Sequence, residues 1–351
     1  MTIHDMLQML VDQNGSDLHV VSGSAPTLRI DGRLVPVPET SSLSKEQTLK
    51  LIEPILTKEQ KDYVDVNKEI DFALPFKEKA RFRVNVYFAQ GSVSAAFRFI
   101  PQDIRSIDEL QLPPLFHTFT QYRQGLVLLT GPTGEGKSTT LAAMIDEINQ
   151  TRAAHILTIE DPIEFVYQPQ KSLISQRELH TDTHSWDVAL RSALREDPDV
   201  VLVGEMRDFE TIAAAITVAE TGHLVLATLH TNSASQTIDR IIDVFPENQQ
   251  MQVRLQLSVT LQAIVAQRLI PMTQGGRCAA TEIMLATPAV RNLVREGKTF
   301  QIDNVIQTSS QQGMMLMENS LIDWAQRGAI TFEVAREYAM RPEEFDRIRG
   351  K

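Results

Sequence analysis

The sequence predicts an α/β protein made of two domains whose sheets differ in type. Its length of 351 residues allows two domains, each large enough to bury a core of its own. In residues 1–100, short alternating segments separated by turn residues predict an α+β module with a mostly antiparallel sheet. In residues 115–351, apolar runs alternate with helical patterns, as in a buried parallel sheet, and 288–351 is predicted to be a helical C-terminal part. The polar stretch 101–114, which ends in a Pro-Pro pair, is predicted to be the linker.

Composition and charge narrow the class of protein. The content of 42% hydrophobic and 23% charged residues is ordinary for a globular protein. A formal net charge of −11 argues against a protein that coats nucleic acid or anionic lipid nonspecifically. Because Cys278 is the only cysteine, an intramolecular disulfide and a cysteine-based zinc site are excluded. No apolar run approaches the length of a membrane span and the N-terminus lacks a secretory pattern, so we expect a cytoplasmic protein.

Turn and capping signals define the elements of the first domain. A short helix at 5–12 is expected to end at Asn14-Gly15, and a second one at 43–56 has Ser44 as its N-cap. The turns Asp31-Gly32 and Gln90-Gly91 are each expected to join two strands into a hairpin. The predicted strands are 17–21, 27–30, 33–37, 69–76, 80–88 and 92–100.

The stretch 126–141 carries the strongest signal in the second domain, after a short helix predicted at 115–122. An apolar strand at 126–129 runs into Gly131, four further residues, and then Gly136-Lys137-Ser138, where helical spacing begins. This order is that of a phosphate-binding P-loop, in which backbone N–H groups and a helix N-terminus surround phosphate oxygens. Lys137 would reach the β- and γ-phosphates, and the Ser138 hydroxyl would ligate Mg²⁺. The predicted nucleotide-binding residues are Gly131, Pro132, Thr133, Gly134, Glu135, Gly136, Lys137, Ser138 and Thr139.

Carboxylates follow two later strands, at the sheet edge where α/β proteins bind ligands. The strand 154–159 precedes Glu160 and Glu164, and the strand 200–203 precedes Gly204-Glu205. Gly204 stands where an Asp often holds magnesium, so Glu205 is expected both to orient or deprotonate the attacking water and to bind Mg²⁺ through water. Glu164 is the second candidate for the general base and Glu160 the third.

A strand at 223–230 has a histidine at each end, and helical segments follow it. His230, which precedes Thr231-Asn232-Ser233, suits a γ-phosphate sensor, and a structural imidazole is the alternative. Beyond it we expect helices and one strand. The helices are predicted at 186–195, 209–219, 235–244, 249–270, 289–296, 313–327 and 331–340, and the strand at 278–284.

Arginines in two segments outside the P-loop could have a function. In the hairpin of the first domain, Arg83 shares a strand face with Arg81, and Arg98 lies on the next strand. A solvated sheet face explains them, and an arginine finger on the γ-phosphate is the functional alternative. On the helix 289–296, Arg291 and Arg295 are four residues apart and predict a basic face opposite an apolar one, although a packed surface helix would show the same pattern.

Taken together, these motifs resemble the type IV pilus retraction ATPases, the PilT family of secretion-type motor ATPases, over nearly the whole chain. The most discriminating segment is the octet 289–296, which differs from the retraction motif by Val for Ile at 290 and 294. The other matching segments are 131–138, 160–164, 194–199 with 204–208, and 221–223 with 230–231.

The resemblance implies an N-terminal PAS-like domain, a RecA-like ATPase domain, a homohexameric ring, and ATP with Mg²⁺ between the two domains. It implies that Arg83 and Arg98 contact the phosphates and are not merely surface charges. It also implies a location at the cytoplasmic face of the inner membrane. The expected partners there are the pilus platform protein, the pilus base and an accessory retraction ATPase, with no stable nucleic acid. Glu135 departs from the small residue usual at its position and puts a negative side chain near the phosphates.

Other functions share some of these features. Many pilus-assembly ATPases carry a four-cysteine zinc site and a longer N-terminal region, both absent from this sequence, and accessory retraction ATPases usually depart from the octet. A DNA-translocating RecA-like ATPase would be expected to have a basic lining, which the acidic composition disfavours. A module that holds ATP without hydrolysing it would not need Glu205.

Overall fold

The computed structural model describes residues 1–13, 15–30, 32–77, 80–101 and 103–350, which divide into two compact units. The N-terminal unit comprises Met1–Asp103 and Pro162–Val166, and the C-terminal unit comprises Ile104–Asp161 and Tyr167–Lys351. Two predicted turns, at Asn14-Gly15 and Asp31-Gly32, each include a residue that lies outside the described ranges.

The N-terminal unit is built on a six-stranded antiparallel sheet with strand order β3-β2-β1-β6-β5-β4. Capping boxes begin its helices: at the first one, the Thr2 hydroxyl accepts from the Asp5 N–H while the Asp5 carboxylate accepts from the Thr2 N–H. The described helices are α1 (Ile3–Asp12), α2 (Lys45–Ile52) and α3 (Lys58–Asn67). The strands are β1 (Asp17–Val20), β2 (Thr27–Ile30), β3 (Arg33–Pro36), β4 (Glu69–Phe76), β5 (Ala80–Ala89) and β6 (Ser92–Pro101).

Alternation along β5 shows why this sheet has one apolar face. Phe82, Val84 and Val86 are fully buried, whereas Arg81 and Arg83, which alternate with them, are only half-buried. Successive side chains of a strand point to opposite faces, so the arginines share the face that is turned away from the core. The helix predicted at 43–56 is shorter than expected, because Pro54 follows the end of α2 in a single tight turn.

The C-terminal unit is built on a seven-stranded sheet with strand order β13-β12-β7-β11-β10-β8-β9, in which only the β12–β13 pairing is antiparallel. Its strands are β7 (Gly125–Thr130), β8 (His155–Glu160), β9 (Leu173–Glu178), β10 (Val200–Val203), β11 (Leu224–Leu229), β12 (Leu261–Pro271) and β13 (Arg277–Leu285). Its described helices are α4 (Leu115–Gln121), α5 (Lys137–Thr151), α6 (Trp186–Ala193), α7 (Phe209–Glu220), α8 (Ala234–Asp243), α9 (Glu247–Thr260), α10 (Pro288–Glu296), α11 (Ile302–Thr308), α12 (Met317–Gln326), α13 (Phe332–Tyr338) and α14 (Pro342–Arg349).

The predicted helix at 249–270 is wrong in its second half. Helix α9 ends at Thr260 and the chain continues directly as β12, which pairs with β7 on one edge and β13 on the other. The run Ala263–Ala266 is buried throughout, so its apolar pattern has neither the period of a helix nor that of a half-exposed strand. No glycine or proline marks the boundary. The edge strand β9 has no apolar run from which the sequence would predict a strand.

Among the described residues, no helix combines the length and the apolar character needed to cross a lipid bilayer.

Candidate nucleotide site

The P-loop connects strand β7 of the central sheet to helix α5. Strand β7 ends at Thr130 and helix α5 begins at Lys137. Gly131 has a φ of +143°, and a Cβ on it would lie 2.4 Å from the carbonyl oxygen of Gln267 on β12. No other residue fits there, so the close approach of the loop to β12 explains the first glycine of the motif.

Lys137 is buried at the centre of the loop. Its ammonium group donates to the carbonyl oxygens of Gly131 at 2.6 Å and Pro132 at 2.8 Å, and lies 3.5 Å from Nδ1 of His230. Ser138 is exposed on the first turn of α5, where its hydroxyl is accessible to a ligand. A positive charge, a helix N-terminus and a hydroxyl therefore lie together, as a triphosphate with Mg²⁺ requires.

Glu205 lies just beyond the end of β10 and contacts His230, which follows β11. His230 Nε2 is 2.8 Å from Glu205 Oε1, and Arg207 Nε is 2.7 Å from the same oxygen. If Nε2 carries the proton toward the carboxylate, Nδ1 is left as an acceptor facing Lys137. The structure thus joins three predicted site residues, Lys137, His230 and Glu205, through one imidazole.

The protonation of Glu205 is set by opposing influences. Burial raises the pKa of its carboxyl, but the hydrogen bond from Arg207 and the charges of His230 and Arg207 outweigh burial and leave the pKa below its ordinary value. The carboxylate is 19% exposed and stays ionised at neutral pH.

Glu160 ends β8, the neighbour of β10, and is buried. Its Oε1 accepts from the Thr158 hydroxyl at 2.7 Å and lies 3.4 Å from Nε2 of Gln176. A Cβ on Gly204 would lie 3.3 Å from the Glu160 Cα and from the Trp186 ring. A side chain at position 204 would therefore crowd the strand that carries Glu160, and glycine avoids that crowding.

The other predicted catalytic residues, Glu164, Arg83 and Arg98, belong to the N-terminal unit. Glu164 is half-buried in the irregular segment Pro162–Val166. Arg83 on β5 and Arg98 on β6 are direct cross-strand partners, so they share one face of the sheet. Arg98 also lies opposite Asp17 on β1, whose Oδ1 accepts from Arg98 Nε at 3.0 Å, and Asp17 lies opposite Arg29 on β2. These residues form a basic row across four strands, in which Arg98 and Arg29 flank the aspartate and Arg83 lies beyond Arg98.

The octet helix α10 does not present its two arginines alike. Arg291 donates to the carbonyl oxygens of Ser258 and Val259, both at 2.7 Å, and so satisfies the last turn of α9. Burial lowers the pKa of its guanidinium. Arg295 is exposed. The expected basic face is therefore split into one packed arginine and one accessible arginine.

Two residues of the site were not singled out from the sequence. Arg207 lay within a recognised segment, but nothing in the spacing showed that it pairs with Glu205. Gln267, which binds the P-loop, fell in the segment predicted as helix. The feature that could have identified Gln267 is its position as a polar residue at the end of a wholly apolar run. It is only 1% exposed, and a buried amide requires a hydrogen-bond partner.

The donor set fits a magnesium–nucleotide complex better than a metal held by protein alone. Within the described ranges, no group of three or more His, Cys, Asp or Glu side chains is arranged to hold a metal. Mg²⁺ commonly takes one or two protein oxygens and fills its remaining positions with water and substrate phosphates. The Ser138 hydroxyl and the Glu205 carboxylate supply oxygens of that kind.

Comparisons with known proteins agree with this geometry. The chain matches the family described as type II/IV secretion system protein over residues 1–336. It is 48% identical over 347 residues to the type IV pilus retraction ATPase PilT of Pseudomonas aeruginosa, covering 98% of this chain and 100% of that protein. It is 47% identical to a twitching motility protein of Neisseria gonorrhoeae, covering 97% and 91%. A crystal structure of the pilus retraction motor PilT with bound ADP matches with a TM-score of 0.92 at 43% identity over 99% of each chain. These matches confirm the predicted fold class, with its N-terminal domain and RecA-like ATPase domain.

Proposed function

This chain belongs to the type II/IV secretion system protein family, and we propose that it is the hexameric ATP-hydrolysing motor that powers retraction of type IV pili in twitching motility. The observation that carries the proposal is the continuous contact from Lys137 through His230 to Glu205. It joins the phosphate-binding loop to an ionised carboxylate at the same edge of the sheet. Near-complete coverage of two relatives with retraction or twitching functions supports the motor assignment.

Each residue of the C-terminal site has a separate task in hydrolysis. Lys137 neutralises the β- and γ-phosphates, and the loop N–H groups orient them. Mg²⁺ when bound, held by Ser138 and by Glu205 through water, would neutralise charge on the phosphate oxygens. Glu205 orients the attacking water. Because its pKa is lowered, it acts by positioning that water more than by strong basicity.

His230 is proposed as the γ-phosphate sensor. Its two ring nitrogens face Lys137 and Glu205, so a phosphate that draws the ammonium away changes the hydrogen bonding of the imidazole and, through it, the carboxylate. Glu160 is proposed to stabilise the end of β8 beside the site, and Glu164 is the alternative general base.

Arg83 and Arg98 are proposed to contact the phosphates from the N-terminal domain, within one chain or from a neighbouring subunit. Their cross-strand pairing supports this role, since two guanidinium groups on one face can meet the same anion. We assign residues 1–100 to a PAS-like domain, 101–114 to the linker, and 115–351 to the ATPase domain. Closure between domains would transmit force to the pilus platform at the cytoplasmic face of the inner membrane.

The test combines turnover with retraction. Lys137→Ala should abolish ATP hydrolysis by the purified full chain, and full activity in this variant would contradict the nucleotide assignment.

In bacteria lacking their retraction motor, the wild-type chain should restore twitching, whereas Arg295→Ala should hydrolyse ATP and fail to restore it. Restoration only when a second retraction ATPase is present would identify an accessory motor. Salt-dependent DNA binding without retraction would favour a translocase.

A further inference from the structure

Glu135, the unusual carboxylate of the P-loop, is turned toward strand β12. Its side-chain Oε2 accepts a hydrogen bond from the backbone N–H of Leu269, and its carbonyl oxygen accepts from Nε2 of Gln267 at 2.6 Å. The side chain is half-buried. Both acceptor groups of this residue are therefore engaged by the neighbouring strand.

Strand β12 offers an unpaired edge at this point because its parallel partner has ended. Strand β7 pairs with β12 only as far as Thr130, opposite Ala266, whereas β12 continues to Pro271 with β13 on its other edge. Alternate residues of a strand direct their backbone groups to the same edge, so Gln267 and Leu269 both face the side from which β7 has departed. The close approach of Gly131 to the Gln267 carbonyl marks that edge as the one beside the P-loop.

The Glu135 carboxylate thus accepts the hydrogen bond that a carbonyl oxygen of a neighbouring strand would otherwise accept. A backbone N–H left without an acceptor would cost free energy, and the carboxylate supplies a charged acceptor, which makes a stronger bond than a neutral one. Gln267 adds a second attachment, since its Oε1 accepts from the Thr140 hydroxyl of α5 at 2.9 Å. The apex of the loop and the first turn of the helix are both held on β12.

We infer that Glu135 is a positioning residue for triphosphate binding, which holds the P-loop on β12 with its N–H groups turned inward. The inference rests on the proposed function, because it requires a triphosphate in this loop. The competing view is electrostatic: a carboxylate in a phosphate-binding loop would repel the nucleotide and weaken binding. The two views predict opposite effects of removing the side chain.

The experiment measures the Kd of the full chain for Mg²⁺ with a non-hydrolysable ATP analogue, and kcat and KM with ATP. If Glu135 positions the loop, Glu135→Ala should weaken binding about ten- to a hundredfold, the fold-change expected from the loss of one charge-assisted hydrogen bond. Glu135→Gln, whose amide oxygen can still accept from Leu269, should recover at least half of that loss. The effect should fall on KM more than on kcat.

Glu135→Asp separates attachment from charge. It keeps the negative charge but is one methylene shorter and cannot reach the Leu269 N–H, so it should weaken binding like Glu135→Ala. Glu210→Ala is the matched control, because Glu210 is exposed on the first turn of α7 and its loss changes the net charge equally. Gln267→Ala should weaken binding in the same direction as Glu135→Ala.

Unchanged or tighter binding by Glu135→Ala, or wild-type binding by Glu135→Asp, would overturn the inference. If Glu135→Ala fails to fold, the pair Glu135→Asp and Glu135→Gln decides the question by itself. A wild-type chain that binds no nucleotide at all would instead overturn the proposed function, and this inference with it.

Discussion

Two ionic clusters of the C-terminal unit both join glutamate to arginine, and they shift the pKa of a glutamate in opposite directions. At the candidate site, one carboxylate, Glu205, meets His230 and Arg207, and its pKa is lowered. In the second cluster one guanidinium, that of Arg341, meets three carboxylates: Glu282 at 3.3 Å, Glu318 at 3.0 Å and Asp303 at 2.6 Å. Burial raises the pKa of Glu282, helped by the charges of Asp303 and Glu318 and opposed by the Ala234 N–H and Arg341.

The difference teaches what each cluster is suited to do. Glu205 keeps 19% of its side chain exposed and has surplus cation nearby, so its charge is stable and its partners can rearrange around a ligand. Glu282 and Glu318 have fully buried side chains and share one cation, so they have no freedom to change partners without a large cost. The first arrangement suits chemistry, and the second fastens β13, α12 and the start of α14 together.

Removing the shared cation should have the largest effect on stability. Arg341→Ala leaves two buried carboxylates without a charged partner, which typically costs about 3–5 kcal/mol. We expect a marked fall in Tm by calorimetry or circular dichroism. Arg336→Ala is the matched control, because the Arg336–Asp346 pair is about half exposed on the same C-terminal helices. Equal falls in Tm for the two variants would contradict the clamp role of Arg341.

Removing the imidazole should affect turnover but not stability. His230→Ala should lower kcat about a hundredfold, because the imidazole that links Lys137 to the water-positioning Glu205 is lost. Its Tm should stay close to that of the wild type, since His230 is 39% exposed. A fall in Tm as large as that of Arg341→Ala, with kcat unchanged, would reverse the roles assigned to the two clusters.

The pH dependence of stability should separate the clusters. A carboxyl whose folded pKa is raised stabilises the fold at pH below its ordinary value of 4.5 and loses that contribution as pH rises through the raised pKa. Glu282→Gln stays neutral and still accepts from the Ala234 N–H. The Tm of this variant minus the Tm of the wild type should therefore increase as the pH rises above 4.5. Parallel Tm profiles over this range would show that Glu282 is not the titrating group.

The smallest effect is expected at Arg207, which is 73% exposed and screened by solvent. Arg207→Ala should raise the pKa of Glu205 toward its ordinary value, because the hydrogen bond that lowers it is lost. Activity should then be lost at a higher pH on the acid side of the kcat profile, with less than about a fivefold change at neutral pH. An unshifted acid limb would show that His230 alone sets the state of Glu205.

The sequence was informative where chemistry depends on local order. The P-loop, Glu205 and His230 each follow an apolar strand directly, so strand, turn and polar residue could be recognised together, and the structure joins them. Prediction failed at β12, where a buried run lacks a diagnostic period. It also could not reach Arg341, whose partners lie 23, 38 and 59 residues away along the chain. Contacts of that separation follow from topology, not from spacing.

Arg291 shows a further limit. Four-residue spacing predicted a shared face with Arg295, yet the end of α9 draws the Arg291 guanidinium to its open carbonyl groups. Helix periodicity gives the direction of a side chain, but a neighbouring helix terminus decides where a long side chain ends.

The most direct test of the account is steady-state ATP hydrolysis by the wild type and Glu205→Ala, with nucleotide binding and mass in solution measured on the same samples. The account predicts a hexameric wild type that hydrolyses ATP and a variant that binds ATP, keeps its mass, and loses at least about a hundredfold in kcat. Hydrolysis by Glu205→Ala at the wild-type rate would contradict the site built on Glu205 and move the general base to Glu164.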